Sequence, residues 1–149
     1  NNRGNSYDDL KQYENAIADY THAIELNPED ADAYNNRGSS YAQLKQFEKA
    51  FTDYTRAIEL NPEYANAYNN RGNSYAQLKQ YEKAIDDYNR VIELNPEDAE
   101  AYYNRGLSYY YLEQYANAIA DYTRAIALNP EYKWSLEPKI KEIRQIRKN

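Results

Sequence analysis

The chain has 149 residues, 18 basic and 24 acidic side chains, a net charge of −6, and neither Cys nor Met. The lack of Cys excludes disulfides, thiolate chemistry and Cys-ligated zinc, and no run of 18 apolar residues is present that could cross a membrane as a helix. Nineteen Tyr stand against two Phe and one Trp, so phenol rings must build the core, each hydroxyl needing water or a partner at its edge.

Repetition is the dominant pattern along the chain. Gly4, Gly38, Gly72 and Gly106 recur every 34 residues, as do Pro28, Pro62, Pro96 and Pro130, and residues 35–68 and 69–102 are identical at about three quarters of their positions. A period of this size marks a solenoid assembled from one supersecondary unit. The first unit, about residues 1–30, enters the pattern at its fifth position, so the first turn of its leading helix is missing and an open apolar end face is expected. The chain begins inside a repeat and without Met, and reads as a piece of something longer.

The second unit, 31–64, serves as the template. At 100° per residue Tyr34, Arg37, Gly38, Tyr41 and Leu44 share one side of a first helix, while Asn35, Asn36, Ser39, Ala42 and Gln43 share the solvated side. Gly38 costs about 1 kcal/mol of helix propensity, tolerable only if a neighbouring helix approaches closely. A second helix buries Phe47, Ala50, Phe51, Tyr54, Ala57 and Ile58. The turn between them, Leu44-Lys45-Gln46-Phe47, has no Gly to supply a left-handed helix end, so Lys45 or Gln46 is expected to bear that conformation. Asn61-Pro62 stops the second helix, and Pro62 is expected to open the next one with Glu63 in its first turn. The third unit, 65–98, repeats this plan. The fourth, 99–132, diverges at Tyr103, Leu107, Tyr110 and Tyr111. Beyond it Leu136, Ile140, Ile143 and Ile146 recur at helical spacing among Lys and Arg, a closing helix over 133–149, with Pro138 predicting a kink or a start near Ser135.

Charge follows the same division. Residues 1–132 carry 12 basic and 22 acidic side chains, and 133–149 carry 6 basic and 2 acidic. An acidic body does not suit a phosphate backbone, and the basic end is explained by a polar capping helix. Neither nucleic acid nor membrane is expected as a partner.

Tyr34-x-x-Arg37-Gly38-x-x-Tyr41, followed by Ala50-x-x-x-Tyr54, Ala57 and Pro62, resembles the tetratricopeptide repeat, whose pattern is Trp-x-x-Leu-Gly-x-x-Tyr, Ala-x-x-x-Phe, Pro. The match recurs through residues 1–132, with Val91 replacing one Ala. The resemblance implies an all-α, right-handed superhelical solenoid of antiparallel helix pairs, here closed by a C-terminal capping helix. It also implies a non-catalytic interaction scaffold whose first helices line a concave groove. One departure recurs in every unit: Arg3, Arg37, Arg71 and Arg105 stand where the family has an apolar residue. Each is matched by an acid on the second helix, Asp19, Asp53, Asp87 and Asp121, and an unpaired buried Arg would be prohibitive. Four ion pairs that lock first helix to second are therefore expected. Four equivalent acids do not make a catalytic site, and Ser6, Ser40, Ser74 and Ser108 have no arranged base. His22 stands alone, in the place of Arg56, Arg90 and Arg124. No cofactor and no metal site is expected.

The expected recognition surface is the solvated side of the first helices: Asn2, Asn35, Asn36, Ser39, Asn69, Asn70, Asn73, Tyr103, Asn104, Tyr110 and Tyr111. Asn both donates and accepts, so it can pair with the C=O and N–H of an extended peptide without reading its sequence. The file Asn2, Asn36, Asn70 and Asn104 is similar to the asparagine ladder in the repeat region of O-linked N-acetylglucosamine transferase, where such residues hold extended peptides. A recent duplication would also copy a harmless Asn four times. Chaperone-binding members of the family grip a C-terminal carboxylate with Lys or Arg at the second, fifth and sixth positions. Those positions here (Asp32, Asn35, Asn36; Asn66, Asn69, Asn70; Glu100, Tyr103, Asn104) hold no cation, and the acids favour a neutral or basic segment. Tyr103, Tyr110, Tyr111 and Trp134 offer an aromatic patch for an apolar or Pro-rich side chain. Two other readings stay open: end-to-end self-association through the open first repeat, and the substrate-recruiting arm of a larger enzyme.

Overall fold

The structure, a computed structural model, describes residues 2–146, with side chains from Lys11 onward. Among the described residues there are eight α-helices, one 3-10 turn and no strand. They are α1 (Asn2–Leu26), α2 (Ala31–Gln43), α3 (Phe47–Leu60), α4 (Ala65–Gln77), α5 (Tyr81–Leu94), α6 (Ala99–Tyr111), α7 (Tyr115–Leu128) and α8 (Lys133–Ile146), with the 3-10 turn at Pro130–Tyr132. The chain divides into two compact units, residues 1–74 and 75–149. In the first, α2 packs on α1 and on α3; in the second, α6 packs on α5 and α7, and α8 on α7.

Local chemistry sets the joints. Helices α2 and α6 are capped by Asp30 and Asp98, whose Oδ1 atoms accept from the N–H of Ala33 and Ala101 at 3.0 Å, each satisfying an otherwise orphaned donor. Ahead of each first helix an Asn closes a turn on the residue two beyond it: Asn27, Asn61, Asn95 and Asn129 accept from the N–H of Glu29, Glu63, Glu97 and Glu131. This corrects the expectation for Pro62. It lies in the turn rather than opening a helix, because the Asn61 side chain closes that turn, and α4 begins only at Ala65.

At the inner turn Lys45 takes the left-handed conformation (φ 57°), as do Lys79 and Glu113 (both φ 59°). Lys45 N–H bonds Ala42 C=O and Gln46 N–H bonds Tyr41 C=O, both at 2.9 Å, a Schellman closure with Lys in the place usual for Gly. The first repeat departs from this plan. Helix α1 runs unbroken through Leu10-Lys11-Gln12-Tyr13, the counterpart of Leu44-Lys45-Gln46-Phe47. A left-handed non-Gly residue costs about 1–2 kcal/mol, and neither Gly nor Pro enforces a break there, so only packing of the two helices on each other can repay the turn.

In each unit the core lays a Tyr ring against a Gly. A Cβ at Gly38 would lie 2.9 Å from Tyr54 Cε1, and one at Gly106 would lie 2.8 Å from Tyr122 Cδ1. The Tyr54 hydroxyl, at 3.4 Å, donates to Ser39 Oγ. Leu107 stands in the place of Ser39 in the fourth repeat, and the buried Tyr122 hydroxyl has no hydrogen-bond partner among the described residues. Deleting an unsatisfied buried hydroxyl removes a desolvation cost. Tyr122→Phe is therefore expected to stabilise the protein by about 1 kcal/mol, whereas Tyr54→Phe is neutral or destabilising; urea melts of the two variants give the comparison.

Leu136, Ile140 and Ile143 of α8 are buried in the cluster that holds Ala118, Tyr122 and Ala125. Ile146, expected to complete that stripe, is exposed. The helix begins at Lys133 rather than near Ser135, directly from the 3-10 turn, and Pro138 lies inside it. Asn129 supplies the start that the position of Pro138 alone could not reveal, accepting from Glu131 N–H at 3.0 Å.

Candidate functional site

Two first-helix arginines, Arg37 and Arg105, are each the hub of a small network. Arg37 on α2 donates from Nε and Nη2 to the two carboxylate oxygens of Asp53 on α3, at 2.8 and 2.7 Å, and from Nη1 to Thr21 Oγ1 on α1 at 3.2 Å. Arg105 on α6 repeats this with Asp121 on α7 at 2.8 and 2.7 Å and with Asn89 on α5 at 2.7 Å. The guanidinium carbon of Arg37 also lies 5.6 Å from the Tyr34 ring and 6.0 Å from the Tyr41 ring. That of Arg105 lies 5.5 and 5.9 Å from Tyr102 and Tyr109. Bidentate pairing to a carboxylate and planar contact with two aromatic faces are what guanidinium offers and ammonium does not. Hydrogen bonding to Asp53 and Asp121 raises both arginines further above their ordinary range, against the opposing effect of burial. One motif, Tyr-x-x-Arg-Gly-x-x-Tyr, thus supplies both the charge and its aromatic sandwich, a signal present in the sequence but not decoded from it.

Arg71 donates to Thr55 Oγ1 at 3.1 Å. It belongs to the first unit and Asp87 to the second. Asp19 is exposed, and the side chains of Arg3 and Asn2 lie outside the described residues.

The asparagines of the first unit form a relay. Asn70 Nδ2 donates to Asn35 Oδ1 at 3.0 Å and approaches Ser39 Oγ at 3.3 Å, and Asn35 Nδ2 donates to Asn36 Oδ1 at 3.3 Å. Asn35, read from the sequence as solvated, is instead 5% exposed. The cause is that α2 is contacted on a further side by α4, whose Asn70 covers it. Tyr64 closes the same edge by donating its hydroxyl to Asp32. Burial, then Asp32, push that phenol up to about 12. Asn36 stays exposed, and Asn70 and Ser39 are half-buried. The relay leaves Asn36 Nδ2 and Asn70 Oδ1 out of its bonds. Asn69 Oδ1 is buried with no hydrogen-bond partner among the described residues, and Asn73 and Asn104 are half-buried. Ser40, Ser74 and Ser108 are buried and donate to the carbonyls of Asn36, Asn70 and Asn104 four residues back, and the Ser6 side chain lies outside the described residues.

In the second unit the tyrosines of α6 serve two purposes. Tyr103 stacks on Tyr132 at 5.1 Å and 16°. Tyr110 packs edge-on to Tyr111 and Tyr115, and donates to Glu142 Oε1 on α8 at 3.2 Å. Both are half-buried, so they tie α6 to the 3-10 turn, to α7 and to α8. Tyr111, stacked on Tyr81 at 4.9 Å, remains 55% exposed. Among the described residues no group of acids and His could hold a metal, His22 meets only Glu25 at 3.4 Å, and no helix is long and apolar enough to cross a membrane.

Paired helices at a 34-residue period, with polar files along the first helices, define a helical-repeat interaction module. The tetratricopeptide repeat model matches residues 31–64, 65–98 and 99–132, and a second TPR repeat model matches 4–45. The chain belongs to the tetratricopeptide repeat family and is a protein–protein interaction module. No curated protein sequence matches it. Among solved structures, the Arabidopsis OM64 TPR domain is 28% identical at a TM-score of 0.72, covering 76% of this chain and 96% of its own. The first TPR of Spaghetti (RPAP3), bound to the HSP90 peptide SRMEEVD, is 25% identical at 0.72, covering 80% and 94%. MamA, 24% identical at 0.76 over 88% and 81%, shares the fold.

Proposed function

We propose that this chain is a non-catalytic scaffold that holds an extended partner segment by its backbone, along the asparagines at the sixth position of each repeat, with residues 1–132 as the array (1–30, 31–64, 65–98, 99–132) and 133–149 as its cap. The observation that carries this reading is the amide relay of the first unit. Asn35 orients Asn36 and Asn70 by hydrogen bonds, and the unused Nδ2 of one and Oδ1 of the other offer the donor and acceptor that a peptide C=O and N–H require. Amides fixed before binding lose less rotamer entropy when the partner arrives. Asn69 and Asn73 share the first unit with the relay; in the second unit Asn104 stands at the sixth position of its repeat, on the helix that also carries Tyr103, Tyr110 and Tyr111. The peptide in the RPAP3 complex, SRMEEVD, has three acids among its last four residues, whereas here the second, fifth and sixth positions carry no cation. The segment held is therefore neutral or basic rather than a C-terminal carboxylate motif.

An array of 15-residue peptides, probed with the intact chain and with the Asn36→Ala, Asn70→Ala double variant, tests the clamp. Capture by the variant is expected to fall about tenfold, the equivalent of one or two lost hydrogen bonds, across peptides of unrelated sequence. Equal capture by the two proteins, with matching melting curves, would overturn it.

A further inference from the structure

The apolar strip of the second helix is closed in the second and fourth repeats and open in the first. Ala50, Tyr54 and Ala57 on α3, like Ala118, Tyr122 and Ala125 on α7, are at most 2% exposed. The first helix of each repeat lies on them, so close that a Cβ at Gly38 or Gly106 would fall 2.9 or 2.8 Å from the Tyr ring. Their counterparts on α1, Ala16, Tyr20 and Ala23, are only half-buried. Asp19 is exposed, whereas Asp53 and Asp121 are 3% and 5% exposed. Helix α1 packs on α2, which leaves open the side that a first helix covers in the other repeats.

The segment that matches this open side is written in the same chain. Residues 1–7, NNRGNSY, are identical to residues 69–75, and they hold the Arg and the Gly that the pairing requires. A chain with this α1 cannot use its own copy. The helix is unbroken from Asn2 to Leu26, and the rise from Gly4 to Tyr20 at about 1.5 Å per residue separates them by about 24 Å along the axis. Asp8 and Asp9 favour the unbroken run, standing where the second and third repeats have Ala42-Gln43 and Ala76-Gln77. A helix that ended at Leu10 would hold both acids in its last turn, at the negative end of its dipole, whereas a continuous helix leaves them in its interior. The turn would also need Lys11 in the left-handed conformation, which is costly for a residue with a side chain.

We propose that the open side of α1 is an interface between copies of this chain, in which residues 2–10 of one copy lie along residues 13–24 of another as the first helix of a repeat lies along its second. Charge complementarity argues for this occupant. Asp19 has no ion pair among the described residues, and the donor's Arg3 supplies the guanidinium, as Arg37 does for Asp53 at 2.7 Å. Shape argues for it too, since the donor's Gly4 admits the recipient's Tyr20 ring. Exchange of an identical element between copies uses contacts that the fold already makes, and is a low-cost route to assembly.

Light scattering on the intact chain from micromolar to millimolar concentration provides the test. The mass is expected to rise with concentration above the 17.6 kDa of one chain. Gly4→Gln sets a Cβ where the recipient's ring must lie, and is expected to weaken association at least about tenfold. Its melting temperature at micromolar concentration should be unchanged or raised, because Gln is the better helix former. The variant Asp8→Ala, Asp9→Gln, Lys11→Gly lets the segment turn back onto its own Tyr20, with Gly supplying the left-handed residue, and is expected to remain monomeric. Asn36→Ala, Asn70→Ala is expected to associate as the intact chain does, which separates this contact from the peptide clamp. A constant mass of one chain at every concentration, or association undiminished in Gly4→Gln or in the turn variant, would each overturn the interface.

Discussion

Arg105→Ala is expected to destabilise the second unit by about 3–5 kcal/mol, a substantial share of the 5–15 kcal/mol typical of a whole domain. The Asp121 side chain is 7% exposed, and its two carboxylate oxygens accept from Arg105 at 2.8 and 2.7 Å. Removing the guanidinium leaves that charge in a site that water does not reach, so it must be desolvated without compensation or take up a proton. The same change deletes the bond to Asn89 and the contacts with Tyr102 and Tyr109. The pair itself need not be stabilising relative to an apolar core, because burying two ions is costly. Arg105→Leu with Asp121→Leu is therefore expected to lose much less than Arg105→Ala alone, and a double-mutant cycle built from urea melts reports a coupling of several kcal/mol. If Arg105→Ala melts at the wild-type urea midpoint, the network has no structural importance.

How much of this was legible depends on what each residue touches. The period, the helix pairs and the left-handed Lys45 follow from spacing and from turn chemistry, which are local. Pro62 was misplaced because Asn61 competes for the same turn with its side chain, a choice that depends on one hydrogen bond. Helix α1 departs from its repeats because the turn at Lys11 carries no enforcing residue, and its sequence is nearly that of a turn which does form at Lys45. Asn35 misled for a different reason. A helical wheel divides residues into two sides, but α2 is met by α1, by α3, by Asn70 of α4 and by Tyr64 just ahead of it, so a polar residue on the nominally solvated side is covered by another polar residue. Repetition hides this, since copies of one helix supply surfaces that match each other and no periodicity within a single unit reveals it. The sandwich of Arg37 between Tyr34 and Tyr41 was legible in principle: residues three before and four after on a helix share its face.

Gly106→Ala is expected to destabilise the protein by about 2 kcal/mol, although Ala is the better helix former by about 1 kcal/mol. The added Cβ would fall 2.8 and 2.9 Å from two carbons of the Tyr122 ring and 3.1 Å from Asp121 Cβ. None of these can yield cheaply. The ring is fully buried, and Asp121 is held in place by Arg105. Overpacking a site of this kind costs about 1–3 kcal/mol, and contact below 3 Å with a rigid ring lies at the upper end, so sterics outweigh propensity. Ala120→Gly, on an exposed position of α7, measures the propensity alone and should cost about 1 kcal/mol. The decisive arm is the background of Tyr122→Ala, which is itself expected to lose about 3–5 kcal/mol. With the ring gone the two nearest atoms are removed and Asp121 Cβ remains at 3.1 Å, so Gly106→Ala should become neutral or stabilising. A change that destabilises equally with and without the ring would show that the Gly is needed for its backbone rather than for the close approach of Tyr122.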